Sequence, residues 1–175
     1  MEQIIIHYKA DEMPTYVREQ ISLEVCSLFL PASFVSAPDR LTGIVSIQDG
    51  VSLLELQTIR AEDALRGAAN LLKGIRQAEN HGIFLGTYYF HPKYMYYYEG
   101  EHMIRILYVP YLYHTEKQTW GALTECISEL KTHVKEEAAG YLELFIRDMT
   151  QYQTISYGLI RRAERLIEES SANHL

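Results

Sequence analysis

Residues 61 to 80 constrain the fold more than any other part of the chain. Ala64, Leu65, Ala68, Leu71, Leu72 and Ile75 recur at helical spacing, with Arg, Lys, Glu and Gln on the opposite face. This pattern predicts a long amphipathic helix. Asn80-His81-Gly82 closes it, and Gly82 suits the positive φ that ends helices. Two strands are predicted next, about Tyr94 to Tyr98 and Met103 to Tyr108, with Glu99-Gly100-Glu101 as the tight turn between them. A helix of this kind followed by a loop and a hairpin places the centre of the chain in the α+β class.

The flanking segments extend that scheme. Glu2 to Tyr8 holds Ile4, Ile5 and Ile6, a β-branched run that fits a strand. Asp11 is placed to cap a short helix with Pro14 in its first turn. Tyr16, Val17, Ile21 and Leu23 would form that helix's apolar face. Ser33 to Ala37 and Leu41 to Ile47 read as paired strands joined by Pro38-Asp39-Arg40, where proline presets φ and aspartate bonds its own backbone. Ser52 to Leu56 reads as a helical turn or short helix. After Pro110 three helical stripes follow: Trp120, Leu123, Ile127, Leu130 and Val134; Leu142, Phe145 and Met149; Ile155, Leu159, Ala163 and Leu166, capped by Thr154 or a neighbour. Trp120 is expected in the core, where its indole N–H needs a partner. No Gly/Ser/Pro linker separates these regions. One domain over 1–170 is expected, with a small lobe over about 1–57, a helical lobe over about 58–170 and a frayed tail at 171–175.

Composition excludes several function classes. The chain has 175 residues and a net charge of −7, which repels a phosphate backbone, so no nucleic-acid partner is expected. The densest basic run, Arg161-Arg162 with Arg165, is offset by Glu164, Glu168 and Glu169. Cys26 and Cys126 sit among apolar residues and read as buried reduced thiols, with no zinc-ligand spacing beside them. His81, His91 and His102 also lack metal-site spacing. No stretch approaches the roughly 18 apolar residues of a membrane span, so no membrane insertion is expected in this segment. The expected location is cytoplasmic, either free or as the cytosolic part of a longer or membrane-associated protein.

The order helix, His81-Gly82-Ile83, loop, Pro92, strand, Glu99-Gly100 turn, strand and Tyr108-Val109-Pro110 resembles the centre of the protein-kinase fold. In active kinases the loop carries His-Arg-Asp and the next strand ends in Asp-Phe-Gly. Here Leu85-Gly86-Thr87 and Tyr108-Val109-Pro110 stand at those positions, and no aspartate lies between His81 and Tyr113. No glycine precedes Gly43, and Lys9, the only lysine before Lys73, ends the first predicted strand. The catalytic base, the magnesium carboxylate and the phosphate-binding set are therefore missing. The resemblance implies a reduced, pseudokinase-like fold that is not an enzyme and has no catalytic, cofactor or metal residues.

A closer resemblance covers roughly residues 15 to 165. Leu30-Pro31-Ala32-Ser33-Phe34, His91-Pro92-Lys93-Tyr94-Met95-Tyr96-Tyr97 and Tyr108-Val109-Pro110-Tyr111 are similar to motifs of an uncharacterised Gram-positive bacterial domain. That domain is found N-terminal to forkhead-associated (FHA) domains. A more distant likeness is to the pseudokinase-like cytosolic domain of the type VII secretion membrane component. These resemblances imply a protein-binding scaffold in bacterial signalling or secretion at the inner membrane face.

With no chemistry to carry, the loop and hairpin offer tyrosines. Tyr88, Tyr89, Tyr94, Tyr96, Tyr98, Tyr111 and Tyr113 form the candidate partner-binding face, because tyrosine combines an apolar body with a polar tip. Strand alternation would set Tyr94, Tyr96 and Tyr98 on one side and Met95 and Tyr97 on the other. The same residues allow cross-strand packing beneath the helices, or an aromatic-lined cleft of a small-ligand or nucleotide sensor near Tyr88 to Phe90. They also allow a self-contact in a structural homodimer.

Overall fold

The structure is a computed structural model and describes residues 2–173. It is an α+β protein with two small antiparallel sheets and five α-helices. The first sheet holds β1 (Gln3–Lys9), β2 (Ala32–Ser36) and β3 (Arg40–Ser46) in the order β1-β3-β2. Helix α1 (Thr15–Ser22) lies between β1 and β2 in sequence. The second sheet holds β4 (Val51–Ser52), β5 (Met95–Tyr98) and β6 (Met103–Ile106) in that order. The sheets are joined through the strand-like segment before β2: the Ile106 N–H donates to Leu28 O at 2.7 Å and the Leu30 N–H to Ile106 O at 2.9 Å.

Helix α2 (Ala61–Asn80) is the centre of the molecule and spans the residues its periodicity predicts. Leu65, Leu71, Leu72 and Ile75 are fully buried. Its glycines permit close approach. A Cβ on Gly74 would lie 3.3 Å from Leu28 Cβ, and one on Gly67 would lie 3.2 Å from the Tyr97 ring. The helix ends at His81, and Gly82 takes a φ of +81°.

Helices α3 (Glu116–Thr132), α4 (Gly140–Tyr152) and α5 (Tyr157–Ala172) complete the fold around α2. Thr115 opens α3 with a reciprocal capping box to Gln118. Trp120 is buried, and its indole N–H donates to Met149 O at 2.7 Å, which ties α3 to α4. Asp148 and Arg162 tie α4 to α5 at 2.8 Å. Both cysteines are buried free thiols. No helix of the described residues is long and apolar enough to cross a membrane.

Several local expectations need correction. Asp11 does not cap α1, which starts after Pro14 with no side-chain cap. Only Val17 and Ile21 are buried on that helix, whereas Tyr16 is 48% and Leu23 75% exposed. Ser52 to Leu56 is not a short helix: Ser52 pairs with Tyr96, as Val51 does with Tyr97, because the β5 edge offers backbone partners, and Leu53 to Glu55 form only a turn, with the Glu55 N–H donating to Ser52 O at 2.9 Å. The cap of α5 is Ser156, whose hydroxyl accepts from the Leu159 N–H. Helix α5 runs on to Ala172 with Ser170 fully buried, so 171–172 belong to its last turn; His174 and Leu175 lie outside the described residues.

Candidate functional site

The segment between α2 and α3 folds back on itself. The Tyr89 N–H donates to Val109 O at 2.9 Å, and those of Tyr111 and Tyr113 donate to Thr87 O and Gly86 O at 3.1 Å. Tyr88 thereby faces Pro110 across an antiparallel bridge. The extended backbone alternates its side chains, so Tyr88 and Phe90 point inward while Tyr89 and His91 point outward.

The inward side is an aromatic plug. Tyr88 is fully buried, with ring centroids 5.1 Å from Phe29, 5.1 Å from Phe90 and 6.1 Å from Tyr108. Phe29 and Tyr108 meet edge-on at 5.3 Å. Tyr8 of β1 reaches the same place, where its hydroxyl donates to Tyr108 O at 2.9 Å. The small sheet is thus bonded to the return strand at Tyr108-Val109-Pro110. Burial raises the pKa of Tyr88 well above the ordinary phenol value and that of Tyr108 to about 12. The Tyr88 hydroxyl has no hydrogen-bond partner among the described residues. Replacing Tyr88 by Phe keeps the ring and removes an unsatisfied polar group. Urea denaturation of Tyr88→Phe is therefore expected to give unchanged stability or a gain of up to about 1 kcal/mol. A loss of more than about 1 kcal/mol would mean that the hydroxyl is satisfied.

The seven tyrosines of the expected face do not form one surface. Tyr88 is interior and cannot touch a partner. Tyr89, Tyr94, Tyr111 and Tyr113 form an outer cluster. The Tyr89 ring lies 5.0 Å from Tyr111 and 5.9 Å from Tyr94, and Tyr111 lies 4.7 Å from Tyr113. His91 stacks on Tyr89, Lys93 Nζ sits 4.6 Å over Tyr94, and the Tyr113 hydroxyl accepts from the Phe90 N–H at 3.0 Å. Tyr96 and Tyr98 belong elsewhere, on the half-buried side of β5, while Met95 and Tyr97 face the core. Tyr94 is not on the strand at all but closes the short 3-10 turn Pro92–Tyr94. Tyr98 donates to Ile47 O at 2.6 Å and carries Arg105 over its ring at 5.2 Å. These last two tyrosines serve mainly as packing between strands.

Three exposed apolar residues lie beside the cluster, and two of them, Phe84 and Leu112, are not singled out by any sequence pattern. Phe84 is 59% exposed, Leu112 76% and Tyr16 48%, next to Tyr111 at 45%. All four line a groove of about 420 Å³ whose floor includes Val17, Ile83 and Tyr108. Tyr16 is held at its rim by donating to Gly82 O at 3.1 Å. The sequence signal for this groove is the pair Phe84 and Leu112 within otherwise turn-forming residues; Tyr16, expected on the buried face of α1, is exposed instead.

A larger hollow of about 990 Å³ lies at the start of α2, lined by Arg60, Glu62, Lys135, Tyr141, Ser171 and Asn173. Two of its charged side chains, Arg60 and Glu62, are already engaged. Glu62 bonds Arg66 at 2.7 Å and Arg60 at 2.6 Å, and the Arg66 bond holds the Glu62 carboxyl below its usual range. No three His, Cys, Asp or Glu side chains among the described residues come together as a metal-binding group. No protein-family model matches the chain, and no curated protein matches it significantly.

Proposed function

We propose that this protein is a catalytically inactive, kinase-like interaction module of the bacterial FHA-associated type. It acts by binding another protein in signalling or secretion at the inner membrane face. The observation that carries this proposal is the aromatic plug. Tyr8, Phe29, Tyr88 and Tyr108 pack together between the small sheet and the hairpin, and Tyr8 is bonded to the backbone of Tyr108; on a kinase-like reading of the fold this packing would leave no room for nucleotide there.

Two further features support it. In a kinase the strand bearing the phosphate lysine pairs that lysine with a glutamate of the helix αC. Here the one lysine before Lys73 is Lys9, which ends the first strand β1. Its backbone N–H is taken by the Glu12 carboxylate at 3.0 Å. The exposed set Tyr16, Phe84, Tyr111 and Leu112 around one groove is the kind of contiguous apolar patch that marks a protein contact.

Calorimetric titration with Mg-ATP tests the first half of the proposal. No binding is expected up to about 1 mM nucleotide, a limit equivalent to about 4 kcal/mol. Micromolar, magnesium-dependent affinity would overturn it.

A further inference from the structure

The chain has 16 lysines and arginines against 23 aspartates and glutamates, so acid is available to neutralise most of its cations. One basic hollow between α2 and α5 is not neutralised. The two helices run antiparallel there. Lys73 bonds Glu164 at 3.0 Å, and further along α2 the Arg76 guanidinium lies 4.3 Å over the ring of Tyr157, at the start of α5. Lys73, Arg76 and Asn80 share one face of α2, and Tyr157, Arg161 and Glu164 share one face of α5, at the spacing that aligns side chains on a helix. These two faces line a hollow of about 430 Å³.

In the sequence, Glu164, Glu168 and Glu169 offset Arg161, Arg162 and Arg165. The folded chain pairs these charges differently. Glu164 turns to Lys73, and Arg162 turns to Asp148 at 2.8 Å. Arg76 and Arg161 reach no carboxylate among the described residues. Each guanidinium presents a planar fork of N–H donors that matches a carboxylate bidentately.

From this charge complementarity we infer that the hollow between α2 and α5 receives an acidic segment of a protein partner, whose carboxylates bond Arg76 and Arg161. The lining residues run along about two turns of each helix, which suits carboxylates in series on an extended chain better than one compact anion. Stacking on Tyr157 holds the Arg76 guanidinium in place beforehand and so lowers the entropy lost on binding. The net charge of −7 does not prevent this contact. Charges more than about 8 Å away are screened at physiological salt, whereas the two arginines act at hydrogen-bond distance.

The inference rests on the reading of the chain as a protein-binding module and names the chemistry of its partner. The two fail separately. With Arg76 and Arg161 replaced, the hollow no longer attracts the phosphates of Mg-ATP, so nucleotide affinity that persists in that variant counts against the module alone.

The test is fluorescence anisotropy of a labelled peptide of alternating glutamate and glycine, titrated with the full chain. Saturable binding is expected below about 1 mM, weakening at least about threefold between about 50 and about 200 mM salt. Arg76→Gln/Arg161→Gln should weaken binding at least about tenfold while keeping the parent circular dichroism. Arg161→Gln alone, at a fully exposed position, should weaken it at least about threefold. Lys117→Gln, at the exposed start of α3, should bind within about twofold of the parent. No binding at about 1 mM, a double variant that binds as the parent does, or a Lys117→Gln variant weakened as much as the double variant would each overturn the inference. So would a lysine–glycine peptide that binds equally well, inorganic phosphate that binds more tightly than the peptide, or a dimer of the chain in sedimentation that the double variant abolishes.

Discussion

Raising the pH through 10 toward 12 is expected to unfold the protein in one cooperative step. Burial raises the pKa of the Tyr97 and Tyr108 phenols from 10 to about 12, and that of the Cys126 thiol from 9 to about 12. Tyr8 and Tyr88 move in the same direction for the same reason. The folded state therefore favours the protonated forms. Their contribution is complete below the unfolded-state values of 9 and 10 and is lost as pH rises through the folded values. Each group that ionises only after unfolding removes about 1.4 kcal/mol per pH unit. Tyr97, Tyr108 and Cys126 together remove about 4 kcal/mol per unit, so two units reach the about 5–15 kcal/mol that holds a domain together. The check is to follow tyrosinate absorbance and far-ultraviolet circular dichroism together. Ionisation of Tyr97 and Tyr108 should appear in step with loss of structure. A single tyrosinate wave near 10 with circular dichroism unchanged would contradict the burial of the plug.

The second large effect is expected at Phe145. Its side chain is fully buried on the face of α4 that packs against α2, α3 and α5. Phe145→Ala removes that ring from a site closed on every side, and the neighbouring helices cannot collapse fully into the space. Urea denaturation should show a loss of about 3–5 kcal/mol. Leu112→Ser, at a leucine 76% exposed, should change stability by less than about 0.5 kcal/mol. Equal losses at the two positions would mean that the helical core is not packed around Phe145.

The contrast between these two residues shows where sequence was sufficient. The α2 pattern placed a helix at residues 61–80, and the structure has the same bounds, because a stripe at helical spacing can be buried only as a helix. The stripes of α3, α4 and α5 are legible for the same reason, down to Phe145 and Met149 in the core, except at their ends: Val134 lies beyond α3, and Ile155 lies before α5 and is only half-buried. The β2–β3 pair was announced by its Pro-Asp turn. Alternation along β5 separated Met95 and Tyr97 from Tyr96 and Tyr98.

The tyrosine face was not legible. Periodicity assigns side chains to faces within one element, but Tyr88, Tyr89, Tyr111 and Tyr113 lie in irregular backbone whose pairing is set by partners far along the chain. Tyr88 is interior because Phe29 and Tyr108 close over it, while Tyr111, in the strand paired opposite it, remains 45% exposed. Tyrosine suits either place, since its ring favours burial and its hydroxyl tolerates water.

By itself, the sequence determined the α+β class, the long central helix, the three C-terminal helices and the lack of kinase motif residues in the loop. Each follows from patterns short enough to be written into neighbouring residues. Only the tertiary structure decided that Tyr8 bonds Tyr108, that the expected face divides into plug, cluster and strand packing, and that Phe84 and Leu112 border an open groove. It also decided that Lys73 and Arg76 of α2 share a hollow with Arg161 of α5. These features depend on which groups meet across a hundred residues of chain, and local composition carries no record of such meetings.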